Sequence, residues 1–295
     1  MNVESILKSR KGPDNEPWFI APVVQEWWDS YRDDGKLEKA HALPGSRVRA
    51  SWAGMCARRI AYGVANFEET DPTTVADAWR MNIGTLLHEH VQKAVIDAFP
   101  GSEAEVKVSL LDGVGSGHMD LMVKLPDGKR ISCEIKSVNG FGFKKMVSSS
   151  KPEGPRLSYM LQASLNAAAM DPLPDEMVIA VFSLECISPT EATKNGIRSE
   201  YGRFAAQWSF TQEEFLAIAA EESARLNRIV ELVDSDGPTA VPRIIPDPTM
   251  PSHVIIRPDR GLFAIKGENG EDVGTGFTWH CGYCSYQTQC CEDNG

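Results

Sequence analysis

Two carboxylates and one lysine are spaced so that a β-hairpin would bring them together. Asp120 precedes a turn signal at Asp127-Gly128, and Glu134 and Lys136 follow it. Residues two apart share one face of a strand, so Glu134 and Lys136 project together and can meet Asp120 across the ladder. Two hard oxygen ligands suit Mg²⁺ or Mn²⁺, and an ammonium beside them can stabilise charge on phosphorus. The pattern indicates a catalytic site for phosphodiester hydrolysis, although an E-x-K pair also occurs in ordinary surface hairpins.

A second set of residues with metal-binding chemistry lies near the C-terminus. Three thiols there form a C-x2-C-x5-C pattern, and a fourth ligand must come from elsewhere, with Cys56 as the natural candidate. Four thiolates suit zinc or an iron–sulfur cluster, and the spacing leaves both open. The three are Cys281, Cys284 and Cys290, and the neighbouring Cys291 is an alternative to Cys290.

Composition limits the class of protein. The chain has 295 residues, of which 42% are hydrophobic, enough for one large buried core. A net charge of −11 argues against a broad DNA-coating surface but permits a narrow basic channel beside an acidic metal site. The absence of an apolar leader in residues 1–12 and of any run long enough to span a membrane predicts a cytoplasmic protein. Reduced thiols are expected there, with Cys133 and Cys186 as ordinary buried residues.

The elements that must position these residues alternate between helical and strand patterns. A short helix at 48–62 carries Cys56, and the segment 141–155, which contains Lys144, Lys145 and Lys151, resembles a mobile loop. The order predicts an α/β fold with a central mixed sheet flanked by helices. We divide the chain into an N-terminal segment (1–45), a core (46–236) and a C-terminal Cys segment (237–295) packed on the core. Helices are predicted at 74–99, 157–170 and 211–234, and strands at 105–111, 118–125, 130–138, 176–185 and 201–210.

Taken in order, the motifs resemble the RecB-type exonucleases of the PD-(D/E)xK class that carry an iron–sulfur cluster. These include the CRISPR-associated RecB-like exonucleases, their phage relatives and the AddB nuclease domain. The resemblance runs from Arg49 to Cys290 through Cys56, the G-x3-H of His88, G-x-x-D, E-x-K, Gln162 and the three Cys. It implies a restriction-endonuclease-like core whose termini are joined by a 4Fe-4S cluster on Cys56, Cys281, Cys284 and Cys290.

The resemblance also assigns roles to residues around the hairpin. It implies that His88, Asp120, Glu134 and Ile135 are the metal ligands and that Gln162 supports the active site. His90 is the alternative to His88, since both lie at the margin of the apolar stripe of their helix. The family has Tyr four residues after this Gln, whereas this chain has Asn166, which leaves the role of that position open. His118 shares the face of Asp120 and lies near the metal without a direct catalytic role.

These observations predict a Mg²⁺- or Mn²⁺-dependent DNA exonuclease that acts on single-stranded ends in recombination, repair or phage DNA processing. Recombination or replication proteins are possible partners, and Lys144, Lys145, Lys151 and Arg156 are candidates for contacts with the DNA backbone. One alternative is an iron–sulfur DNA-binding or adaptor protein with a vestigial nuclease site. Another is a zinc-ribbon interaction protein.

Overall fold

The computed structural model describes residues 45–71, 74–148, 154–197, 200–245, 254–257, 262–266, 272–277 and 284–293. The predicted N-terminal segment (1–45) therefore lies almost wholly outside the described residues. No helix within the described ranges is long and apolar enough to cross a membrane. The helices are α1 (Ala57–Val64), α2 (Val75–Ala98), α3 (Gly140–Val147), α4 (Leu157–Ala168), α5 (Pro189–Lys194), α6 (Gln212–Asp236) and α7 (Gln287–Glu292).

A six-stranded mixed sheet forms the centre of the fold. Its strands are β1 (Val48–Arg49), β2 (Glu103–Leu110), β3 (Gly115–Lys124), β4 (Arg130–Val138), β5 (Glu176–Ser183) and β6 (Ala205–Thr211). Strand β3 pairs with β2 and β4 antiparallel and with the short β1 parallel, while β5 pairs parallel with β4 and antiparallel with β6. A second antiparallel sheet consists of β7 (Ile244–Ile245), β8 (Val254–Arg257), β9 (Leu262–Lys266) and β10 (Asp272–Phe277). The predicted α/β fold with a mixed central sheet is confirmed.

Helices cover the central sheet with apolar faces. On α2, Val91 and Val95 pack against a buried cluster that includes Leu121 and Ile135 of β3 and β4. Helices α4 and α6 contribute residues such as Leu161 and Leu226 to the largest cluster. The first half of α2 is mostly exposed, with Leu86 at 66%, although Ala78 is buried.

Two predicted segments differ in kind from the structure, and the strand predicted at 201–210 begins only at Ala205, after a 3-10 turn at Tyr201–Arg203. The stretch 48–62 is not one helix, because Gly54 turns the chain with a positive φ of 73° and packs against Ser158 of α4, so α1 begins only after Cys56. The expected loop at 141–155 contains helix α3, whose first turn is capped by Asn139: its side chain accepts a hydrogen bond from the Gly142 amide (2.8 Å). Phe143, on the inner face of this helix, is buried. In the sequence, the signal for this helix was an Asn at the N-cap position followed by aromatic residues.

Candidate active site

The site lies where β3 and β4 separate. The two strands pair from Lys124 and Arg130 up to Leu121 and Cys133, and the regular ladder ends there. One residue further along β3, Oδ2 of Asp120 accepts a hydrogen bond from the Ile135 main-chain N–H at 2.6 Å. The carboxylate thus takes the place that a backbone carbonyl holds in a continuous ladder. This insertion fixes Asp120 between the strands, with 9% of the residue exposed.

Glu134 and Lys136 occupy the same end of β4. Glu134 is 1% exposed, and Nζ of Lys136 lies 2.6 Å from its Oε1. The ammonium also donates a hydrogen bond to Oε1 of Gln162 at 3.1 Å and lies 5.5 Å from the centroid of the Tyr159 ring. Helix α4 supplies both of those residues. The structure therefore brings Asp120, Glu134, Lys136 and Gln162 together.

Helix α2 places a histidine beside the carboxylates. Nδ1 of His88 lies 3.7 Å from Oδ1 of Asp120, whereas His90 is exposed. Burial lowers the pKa of His88, and the nearby ammonium of Lys136 lowers it further. A neutral imidazole is the form that binds metal. Position and protonation state are both compatible with the ligand role that the resemblance implied for His88.

Both Asp120 and Glu134 are buried, and burial disfavours the charged form of a carboxyl group. Burial raises the pKa of Asp120 to about 6 and that of Glu134 to about 7, although Lys136 opposes both shifts. Burial also disfavours the Lys136 ammonium, but Glu134 and Asp120 outweigh it and raise its pKa. When both carboxylates are ionised, they face one ammonium and leave an excess of negative charge in a buried place. A bound cation would relieve this excess.

The donor set fits a hard divalent metal ion. Oε1 of Glu134 has no hydrogen bond of good geometry from the described residues, although Nζ of Lys136 lies close to it. Carboxylate oxygens and a neutral imidazole are suitable ligands, and Ile135 can contribute only its main-chain carbonyl, because its hydrocarbon side chain has no donor atom and packs in the apolar cluster. Among the described residues, no three His, Cys, Asp or Glu side chains are already grouped closely enough to hold a metal ion. A metal ion would therefore bind here only if these side chains moved closer together.

Two residues of the site had no role in the sequence analysis. Nε2 of Gln92, one turn after His88 on α2, donates to the main-chain oxygen of Asp120 (3.0 Å) and to Oε1 of Glu105 (2.6 Å). Glu105 lies opposite the Asp120 position on β2, and its charge raises the pKa values of both Asp120 and His88. The four-residue spacing from His88 to Gln92 was the available signal, since it places both on one face of a helix.

The basic residues beyond β4 fall into different surroundings. The guanidinium of Arg156 lies 5.6 Å from the Tyr159 ring that Lys136 also contacts, so it is close to the site. Lys145 lies 5.1 Å from the ring of Phe141. Lys144 instead forms an ion pair with Glu191 of α5 at 2.6 Å. Lys151 lies outside the described residues.

The C-terminal helix that carries Cys290 packs on the N-terminal part of the core. Cys56 directly precedes α1, and α7, which carries Cys290, docks on Asp71 in the segment after α1 through hydrogen bonds from Thr288. Sγ of Cys290 accepts a hydrogen bond from Nε of Arg243 at 3.0 Å. Cys284 is half-buried at the start of the same segment.

The remaining cysteines and His118 differ in how far they are buried. Cys281 and the side chain of Cys291 lie outside the described residues. Cys133 is half-buried and not fully buried as expected, and its burial raises the pKa of the thiol to about 12. Cys186 is exposed, so the expectation that it is buried was wrong. Cys186 follows β5 in a turn that leaves the sheet. His118 is half-buried, and its main-chain oxygen accepts a hydrogen bond from Asn166 at 2.8 Å.

Comparison with solved structures shows similarity of fold. The crystal structure of SSO0001 aligns with a TM-score of 0.51 at 14% sequence identity, covering 92% of this chain and 97% of that chain. A phage-related exonuclease from Haemophilus somnus 129PT aligns with a TM-score of 0.42 at 13% identity, covering 61% of this chain and 81% of that chain. Neither protein-family models nor curated proteins match this sequence. The similarity to SSO0001 concerns the fold alone, and a shared fold does not establish a shared function. The function is therefore inferred from the residues of the candidate active site.

Proposed function

We propose that this protein is a metal-dependent DNA nuclease of the PD-(D/E)xK class that requires Mg²⁺ or Mn²⁺. The supporting observation is the convergence of Asp120, Glu134 and Lys136 at the point where two strands separate. An ordinary surface ion pair would be exposed and of little consequence. Here Glu134 is 1% exposed and its pKa is raised to about 7, which is a costly arrangement for a residue with a structural role alone.

Each residue has a separate part in the proposed reaction. Asp120, Glu134 and His88 would hold the metal, with the main-chain carbonyl of Ile135. When bound, the metal supplies Lewis-acid polarisation of the phosphate and a hydroxide at neutral pH. Lys136 carries a charged ammonium beside Glu134, where it can orient the attacking water or donate to an oxygen of the phosphate that gains negative charge. Gln162 accepts from that ammonium and so fixes its direction.

The preference for single-stranded ends and the roles in recombination, repair or phage DNA processing are proposed from the family resemblance. Arg156, close to the site through Tyr159, is suited to hold a backbone phosphate. The acidic chain as a whole would repel DNA elsewhere, which favours a narrow contact with a strand end over broad coating of a duplex.

The direct test is digestion of DNA by protein purified without oxygen and saturated with Mg²⁺ or Mn²⁺. We expect linear single-stranded DNA to be degraded to nucleotides, closed circles to resist, and EDTA to stop the reaction. Cleavage of circles would change the assignment from exonuclease to endonuclease. Metal-saturated protein that cuts no linear or circular DNA, single- or double-stranded, would contradict the proposed function.

We also propose a 4Fe-4S cluster on Cys56, Cys281, Cys284 and Cys290. The docking of α7 against Asp71, in the segment that follows α1, supports it, because this contact brings a C-terminal element that carries a thiol onto the N-terminal part of the core. We expect about four iron and four sulfide per chain and a brown protein absorbing in the visible blue. Replacing Cys56 by alanine should remove most of this iron, whereas Cys186→Ala, which changes an exposed thiol, should retain it. A colourless protein carrying one zinc would contradict the cluster.

A further inference from the structure

Asn166 occupies a buried position between helix α4 and the carboxylates. It is 0% exposed, and its Nδ2 donates to the main-chain oxygen of His118 at 2.8 Å and points at Oε2 of Glu134 at 3.4 Å. The second contact is at the long end of the hydrogen-bonding range. Both neighbours of Nδ2 are acceptors, which settles the orientation of the amide: the nitrogen faces them and Oδ1 points away.

Gly117 provides the space for this amide. A Cβ built on Gly117 would lie 2.1 Å from Oδ1 of Asn166, closer than two non-bonded heavy atoms can approach. The backbone of Gly117 does not have a positive φ, so the absence of a side chain, and not backbone freedom, is what this position uses. Oδ1 has no hydrogen-bond partner among the described residues. Burying an amide oxygen without a hydrogen-bond partner costs free energy, so a residue that does so is expected to have a function.

We propose that Asn166 is a positioning residue that restricts the rotation of the Glu134 carboxylate at the metal site, with Gly117 as the slot that admits its amide. The inference rests on the proposed function, since it concerns the same metal site. Oε1 of Glu134 lies beside Lys136, while Oε2 is directed by Asn166, so the two contacts together fix the rotation of the carboxylate. A ligand held on both oxygens loses less conformational freedom when a metal binds.

The test compares Mn²⁺ affinity across variants, measured by the loss of the free-ion EPR signal at pH 8. Asn166→Leu keeps the approximate size of the side chain but cannot donate, and we expect its dissociation constant for Mn²⁺ to rise about 10- to 100-fold. Asn166→Ser is too short to reach Glu134 and leaves room for water, so it should fold and show the same loss. Asp120→Asn serves as the reference for Mn²⁺ bound elsewhere on the acidic surface.

Leu165→Ala is the matched control. Leu165 neighbours Asn166 on α4 but is buried in the main apolar cluster, so its truncation should lower thermal stability and leave Mn²⁺ affinity unchanged. If Asn166→Ser folds and binds Mn²⁺ as tightly as the wild type, or if Leu165→Ala loses as much affinity, the positioning role is overturned. Wild-type protein that binds Mn²⁺ but cuts no DNA would overturn the proposed function alone. Wild-type protein that binds no Mn²⁺ would overturn both.

Gly117→Ala tests the slot independently. The added methyl must displace the Asn166 amide, so we expect the same rise in the Mn²⁺ dissociation constant together with a lower melting temperature. In an Asn166→Ala background the same glycine substitution should cost less stability, because the 2.1 Å collision is gone and only tight contacts with Ala50 and Val108 remain. Equal costs in the two backgrounds would show that Gly117 does not serve Asn166.

Discussion

Asp120→Asn should abolish metal-dependent DNA cleavage while making the metal-free protein more stable at pH 8. Asparagine retains an oxygen that can accept the hydrogen bond from the Ile135 N–H, so the gap between β3 and β4 stays closed. It removes one of the anionic ligands, and the loss of metal catalysis should lower the rate about 1,000-fold or more. The measurement is the initial rate on linear DNA at saturating Mg²⁺, beside the thermal melting of EDTA-treated protein.

The gain in stability depends on pH in a defined direction. Burial raises the pKa of Asp120 from 3.8 to about 6, so ionising it costs more in the folded than in the unfolded protein. The wild type therefore loses stability from this group as the pH rises from about 4 to 6, and the loss is complete above that range. Since one pKa unit corresponds to about 1.4 kcal/mol, Asp120→Asn should gain about 1 to 3 kcal/mol at pH 8 and little at pH 4.

A neutralised surface carboxylate provides the control for Asp120→Asn. Asp97 on α2 is exposed and pairs with Lys93, so Asp97→Asn makes the same chemical change away from the site. We expect it to leave both the cleavage rate and the pH dependence of melting within error of the wild type. An Asp120→Asn protein that still cuts DNA at more than a tenth of the normal rate would exclude Asp120 as a ligand that the reaction needs.

Lys136→Met should separate chemistry from metal binding. Methionine has a similar length but no charge, so the variant loses the ammonium that would stabilise the phosphate, and we expect a fall in cleavage rate of about 100- to 1,000-fold. Mn²⁺ affinity should be unchanged or higher, because a cation that competes for Glu134 has been removed. Rates at saturating metal, together with Mn²⁺ titrations, give the two quantities.

The same variant should also change stability in a way that metal reverses. Removing one partner of a buried ion pair leaves Glu134 uncompensated, which costs about 3 kcal/mol in the metal-free protein. Added Mn²⁺ should restore much of this stability, since it provides the missing positive charge. Lys93→Met, an exposed lysine in an ion pair on α2, is the control and should behave as the wild type. A Lys136→Met protein whose Mn²⁺ affinity falls together with its rate would place Lys136 in metal binding and not in the chemistry.

The local pattern of the sequence was sufficient to bring the central residues of the site together. Alternation with a period of two placed Glu134 and Lys136 on one face of β4, and the turn at Asp127-Gly128 set Asp120 on the neighbouring strand. The start of α6 was equally predictable, because the capping box of Thr211 and Glu214 involves only nearby backbone groups. Interactions of this range depend on a few adjacent residues and are therefore readable from the sequence.

Tertiary structure decided what surrounds those residues. Both His88 and His90 lay at the margin of an apolar stripe, and only the crossing of α2 over the strands set one beside Asp120 and left the other in water. The amide of Asn166 meets Gly117 across 49 positions of the chain, a contact that no local pattern encodes. Burial, which raises the pKa values of Asp120 and Glu134, is a property of the packed core as a whole. The sequence alone therefore determined which groups could react, while long-range packing decided their charge, their orientation and the side chains that hold them.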